Sequence, residues 1–238
     1  AVTREARPPV TPGLAPHAPF STAPELFAAI AREARARRMP MSIHVGESPE
    51  EVELLATGRG GFRDLLVDLG AWRDDWTAPG TDPVSYLDAL GAIVPGMLAV
   101  HATQLDAAAL GVLAARGAVI VSCPRSNQWT GVGDPPLDAF YASGATVAFG
   151  TDSLTSAPTL DLFDELAAAR RVTTVTDARL LESATRGGAV ALGLGDAYGR
   201  IAPGLRAPLL AVDVPAGITD VQQYLVSGRP ETRWWVGA

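Results

Sequence analysis

Short apolar runs alternate along the chain with longer segments whose apolar positions recur every three to four residues. A run of four or five apolar residues suits a strand buried in a parallel sheet, and the longer period suits an amphipathic helix. Together they predict strand–helix units in a parallel α/β architecture. The predicted strands are residues 14–15, 41–45, 97–100, 119–122 and 146–149. The predicted helices are 22–38, 49–56, 62–69, 83–90, 105–115, 135–142, 160–171 and 176–186. Thr22-Ala23-Pro24-Glu25 reads as a capping box with proline in the first turn, and Gly117 stands just past the end of 105–115. No sequence repeat accompanies the five units, which argues against a solenoid. After about residue 207 the pattern changes. Residues 208–214 and 222–228 alternate like antiparallel strands, and Trp234-Trp235 lies near the end. The expected organisation is a barrel portion over 1–207 and a small β appendage over 208–238.

Composition sharpens this picture. Hydrophobic residues make up 47% of the 238 and charged residues 19%, enough apolar surface for a core and too much for disorder. Nineteen basic residues against twenty-six acidic ones give a formal charge of −7, so neither nucleic acid nor an anionic membrane is an expected partner. No apolar run approaches the roughly 20 residues of a membrane helix. Ala1 to Pro12 is polar and proline-rich, without a signal-peptide pattern. Cys123 is the single cysteine, which excludes an intrachain disulfide and a thiolate-rich zinc site, and makes a cytoplasmic location the expectation. The chain opens without methionine and runs straight into Pro12-Gly13-Leu14-Ala15-Pro16-His17, so a fragment of a longer chain is expected.

Candidate chemistry sits at the strand ends. His44 ends the strand Met-Ser-Ile and begins His44-Val45-Gly46-Glu47, His101 ends Met-Leu-Ala-Val, and His17 follows the first inferred strand. Asp152 follows Val-Ala-Phe in Gly150-Thr151-Asp152-Ser153. Each has a bland reading: a hydrogen-bonded structural histidine, an Asp152 cap, a first-turn carboxylate at Glu47. Asn127, in Cys123-Pro124-Arg125-Ser126-Asn127, is expected to stabilise a turn. Jointly, four strands each delivering His or Asp where parallel barrels build their active sites favours the functional reading. Metal-assisted hydrolysis fits the set: His44 and Asp152 as ligands from two strands, and Glu47 as proton carrier. His101 then orients the attacking water or serves as a further ligand.

His-Val-Gly-Glu, Val-His-Ala, Cys-Pro-Arg-Ser-Asn and Gly-Thr-Asp-Ser, in this order, resemble the amidohydrolase superfamily. Within it, the sequence most resembles the branch of triazine chlorohydrolases, guanine deaminase, S-adenosylhomocysteine deaminase and aminodeoxyfutalosine deaminase. Leu14-Ala15-Pro16-His17-Ala18-Pro19 resembles the segment that supplies a substrate-contacting histidine there. Ala184-Thr185-Arg186-Gly187-Gly188-Ala189, Gly199-Arg200-Ile201 and Pro203-Gly204 resemble the stretch leading into a small β-sandwich. The resemblance implies a partial TIM (β/α)8 barrel, about strands 4 to 8, with part of a small C-terminal β-sandwich. It implies that His44 and Asp152 bind a metal, that Glu47 shuttles a proton, that His101 contacts the hydrolytic water and that His17 contacts substrate. One divalent ion, Zn2+ or alternatively Fe2+, and a small-molecule substrate follow, with a homodimer as candidate assembly.

Two departures stand out. The family's first-strand His-x-His pair is absent from this sequence, and Ala207-Pro208-Leu209 stands where relatives carry Ala-Asp-Leu. The expected reaction is hydrolytic deamination of a purine-like or other N-heterocyclic substrate. Alternatives are a chlorohydrolase or amide hydrolase of the same superfamily, and an inactive truncated barrel lacking the His-x-His ligands. A general α/β binding domain leaves the strand-end polar set unexplained. A cytidine-deaminase type of zinc enzyme needs more cysteines than one. Residues 62–86, where a specificity insertion would lie, carry no legible motif.

Overall fold

The computed structural model describes residues 10–206, 208–228 and 230–236. The fold is α/β, with a parallel sheet of four strands in chain order: β1 (Ser42–Val45), β2 (Leu98–His101), β3 (Val119–Ser122) and β4 (Thr146–Phe149). The chain divides into two compact units, the first ending at Val119 and the second starting at Ile120.

In the first unit, Leu14 makes a single parallel bridge to Met41, so the first predicted strand is one residue long. Helix α1 (Pro24–Arg37) follows, and buries Phe27, Ala31 and Ala34 along one face. The expected capping box does not form. The N-cap is Ala23, which has no side-chain cap, and the Thr22 hydroxyl donates instead to the Pro16 carbonyl. Pro24 opens the helix because its missing N–H would have no intrahelical partner there. Strand β1 buries Ile43 and Val45, leaving Ser42 and His44 on its other face. Helices α2 (Pro49–Thr57), α3 (Gly61–Asp68) and α4 (Pro83–Ala89) lead to β2, which pairs with β1 in the register His44↔Val100 and Val45↔His101. Helix α5 (Ala107–Ala115) buries Ala109, Leu110 and Leu113.

In the second unit, β3 and β4 are buried over nearly every residue, as strands covered on both faces require. Helix α6 (Pro124–Thr130) occupies the stretch expected to be a turn, and Asn127 is buried within it. Pro124 sets the first turn and Gly131, in the left-handed region, ends it. Seven residues are too few to show a helical period in sequence. Helices α7 (Leu137–Ala142) and α8 (Leu162–Arg171) follow. The predicted helix 176–186 is α9 (Asp177–Glu182) running into a π-helical turn (Ser183–Gly187) and then α10 (Gly188–Ala191). Gly187 passes so close to β4 that a Cβ would lie 2.3 Å from the Val147 carbonyl oxygen.

The C-terminal expectation needs correcting. Strand β5 (Leu209–Val212) pairs antiparallel with β6 (Arg233–Val236), while residues 222–228 form no strand. Helix α11 (Val221–Leu225) stands there, nucleated by Asp220, whose carboxylate accepts the Gln223 N–H. Ala207, the first residue of the Ala-Pro-Leu departure, lies outside the described residues, as do residues 1–9 of the proline-rich start.

Candidate active site

The first unit brings its three histidines into a row. His17 and His44 have ring centroids 5.3 Å apart, and His44 stacks on His101 at 5.5 Å. The β1–β2 register is the cause, since it sets His44 beside Val100 and ends both strands at the same level. The His17 carbonyl accepts the His44 backbone N–H at 2.8 Å and contacts the His44 ring Nδ1 at 3.1 Å. A carbonyl only accepts, so Nδ1 carries the proton and Nε2 is the basic nitrogen. Ligating histidines are usually oriented in this way, by a carbonyl on the nitrogen that does not bind. Burial and the neighbouring His44 depress the basicity of His17, and Glu47 opposes them.

Glu47 reaches His101, with Oε1 3.7 Å from Nε2; the histidine side chain is 1% exposed and the carboxylate 27%. Its loop is held from both sides. Gln104 donates its backbone N–H to the Gly46 carbonyl at 2.8 Å and its side-chain amide to the Glu47 carbonyl at 3.4 Å. Gly46 adopts φ +59°, and a Cβ there would meet Leu105 Cδ2 at 2.4 Å. Below the loop lies Glu51, 1% exposed, whose two carboxylate oxygens accept the Gly46 and Glu47 N–H groups at 3.0 Å each. Burial lifts the Glu51 carboxyl to about 7, against the pull of those two amides. Sequence reasoning passed over Glu51. The one available signal was Ser48-Pro49-Glu50-Glu51, which looks like an ordinary helix start.

Beside His17 the unexplained stretch 62–86 acquires a shape. Phe20 lies edge-on to His17 at 5.8 Å and packs on Phe62 at 4.2 Å. Phe20, Leu66, Trp72 and Trp76 line a cavity of about 240 Å³.

In the second unit, Asp152 follows β4 with φ +58°, in the left-handed region. Its Oδ2 accepts the Ser126 hydroxyl at 2.6 Å and the Ser156 hydroxyl at 2.9 Å. Both serines are buried, and neither was singled out from sequence. Near them the buried Glu165 takes the Arg125 N–H on Oε2 at 3.0 Å. Its Oε1 makes no hydrogen bond, 3.5 Å from the Arg125 guanidinium. Burial raises the Glu165 carboxyl to about 7.

Backbone strain marks the same positions. Five non-glycine residues have positive φ among the described residues, and three of them are His17, His101 and Asp152. Such residues are uncommon and concentrate where function holds them in place. Among the described residues, no group of three or more His, Cys, Asp or Glu is placed to hold a metal ion. Nor, among those residues, is any helix long and apolar enough to cross a membrane.

Comparison with known proteins decides the family. Residues 2–232 match the amidohydrolase family. The chain belongs to that family. This amidohydrolase is 35% identical over 189 residues to the aminodeoxyfutalosine deaminase of Deinococcus radiodurans, a match covering 76% of this chain and 45% of the relative. It is 34% identical to a 5-methylthioadenosine/S-adenosylhomocysteine deaminase of Pelotomaculum thermopropionicum, over 86% of this chain and 44% of that one. The crystal structure of an adenosine deaminase from Xanthomonas campestris with bound zinc superposes with a TM-score of 0.81 at 29% identity. That match covers 98% of this chain and 52% of the other. The amidohydrolase thus spans about half the length of the relatives it matches.

Proposed function

We propose that the whole protein is a hydrolytic deaminase that removes the exocyclic amine of a purine-like or related N-heterocyclic substrate. The observation that carries this reading is the row His17–His44–His101, with Glu47 against His101 at the ends of two paired parallel strands. Relatives named aminodeoxyfutalosine deaminase and 5-methylthioadenosine/S-adenosylhomocysteine deaminase agree with it. The barrel is read as strands 4 to 8 of a (β/α)8 fold over residues 1–207, with residues 208–238 forming part of a β-sandwich. A cytoplasmic, homodimeric enzyme belongs to the same reading.

The donor set fits a divalent ion in kind. His44 offers a basic Nε2 fixed by its carbonyl contact, and Asp152 a carboxylate held on one oxygen by two hydroxyls. Zinc, or Fe2+ as the alternative, would be held by these two residues together with donors from the rest of the whole protein. When bound, such an ion acidifies a water to a pKa near 7. Glu47 would take a proton from the attacking water and return it to the leaving amine, so that ammonia departs neutral. His101, buried and within reach of Glu47, orients the attacking oxygen. His17 contacts the heterocycle, and the aromatic cavity next to it supports a flat substrate.

The test is elemental analysis and ammonia release by the whole protein, with adenine and guanine nucleosides as the panel. About one metal per protomer with ammonia release supports the reading, and Glu47→Gln should abolish release while keeping the metal. Metal-free, inactive protein would overturn it. Chloride release from a triazine panel, or amine release from an amide panel, without deamination of the nucleosides, would move the activity to the alternative branch. The 238-residue chain should bind metal weakly by itself, since its described residues contain no three-donor group.

A further inference from the structure

Helix α2 begins with a sequence that should close a capping box, and one half of the box is diverted. Ser48 is the N-cap, and its hydroxyl accepts the Glu51 N–H. In a capping box the N3 glutamate returns to the N-cap residue's own N–H. Glu51 instead reaches one and two residues further back and takes the N–H groups of Glu47 and Gly46, one on each oxygen. A carboxylate this deeply buried is costly, and capping the helix does not by itself require it. The two amides it holds are those of the residue with φ +59° and of the proton carrier itself.

We propose that Glu51 is the positioning residue for Glu47, clamping the Gly46–Glu47 peptides so that the Glu47 carboxylate is presented to His101. This deepens the deaminase reading and rests on Glu47 carrying the proton there. The backbone of Glu47 is fixed by Glu51 at its N–H and by Gln104 at its carbonyl. Its side chain is 27% exposed and approaches His101 at 3.7 Å, so the clamp acts on the backbone and not on the carboxylate. A carboxamide cannot replace Glu51, because one of its two polar atoms is a donor and would face an N–H. Aspartate keeps both acceptors but is one methylene shorter.

The test compares Glu51→Gln, Glu51→Asp and Glu47→Gln in the whole metal-loaded protein, with wild type as reference. Glu51→Gln should lower kcat by about ten- to a hundredfold, the size of effect expected from a misplaced catalytic group, with KM within about twofold. Glu51→Asp should recover part of that loss. A loss in kcat shared equally with KM, or no rescue by aspartate, would overturn the positioning role. A second readout needs no turnover: the Gly46 and Glu47 amide protons in NMR should be downfield and slow to exchange in wild type and lose both properties in Glu51→Gln. Unchanged amide signals would overturn the clamp even if activity fell. Wild-type protein that deaminates nothing would instead refute the deaminase reading. Full activity in Glu47→Gln would remove the proton-carrier role, and with it the positioning proposal. Glu51→Asp, which retains a buried carboxylate, carries the same two readouts if the glutamine variant fails to fold.

Discussion

The loop after β1 and the loop after β4 each present one acidic side chain, by opposite means. Glu47 is held through its backbone, by a buried carboxylate and a glutamine amide, and its own carboxylate makes only the 3.7 Å approach to His101 among the contacts described. Asp152 is held through the side chain itself, with one oxygen tied by two serine hydroxyls and the backbone in a strained left-handed conformation. The first arrangement suits a group that must move a proton between partners. The second suits a ligand that must keep one orientation. Fixing the backbone leaves rotamer freedom, and fixing the carboxylate removes it.

The largest break in this contrast should come from Glu47→Gln. It keeps the clamped backbone and removes only the acid, so kcat should fall by about two to four orders of magnitude with metal content unchanged. Steady-state kinetics paired with elemental analysis checks both halves. Gly46→Ala attacks the loop itself. A methyl group would sit 2.4 Å from Leu105 in a conformation that alanine disfavours, so chemical denaturation should show a loss of about 1–3 kcal/mol. An unchanged midpoint would show that the loop tolerates another path.

Ser126→Ala tests the other loop. Its hydroxyl is completely buried, so losing the bond to Asp152 should cost about 1 kcal/mol of stability. Metal affinity of the whole protein, followed by competition with a chelator, should fall about tenfold to a hundredfold. Unchanged affinity would mean that Ser156 alone orients the aspartate. A pH-dependent effect concerns Glu165. Burial raises its folded pKa to about 7 from an ordinary 4.5, so between those values the folded state keeps a proton that the unfolded chain has released. Stability therefore falls as pH rises through that window and levels off above about 7. Glu165→Gln should flatten the slope of the thermal midpoint against pH. Part will remain, because Glu51 titrates in the same direction.

Most elements of the fold were legible because the strands are short, apolar and bounded by clear helix signals. Strands β3 and β4 lie where the pattern put them, β1 starts one residue later than expected and β2 is shifted by one residue. The failures share a cause. Helix α6, the π-helical turn and helix α11 are each seven residues or fewer, too short for a period to emerge from neighbouring noise. The capping box at Thr22 failed because a tertiary acceptor, the Pro16 carbonyl, took the hydroxyl first.

The sequence by itself determined the order of the elements, and it placed His101 at the end of β2, His44 next to the end of β1, Asp152 shortly after β4 and His17 shortly after the Leu14 bridge. These are local properties, since a short apolar run places its last residue at a strand end wherever the strand packs. Only the tertiary structure decided which groups support them. The β1–β2 register stacked the imidazoles, Glu51 turned from a helix cap into a clamp, and Ser126 and Ser156 converged on Asp152 across 30 positions of chain. Those pairings depend on side chains brought together by packing, and no spacing in the sequence encodes a distance in space.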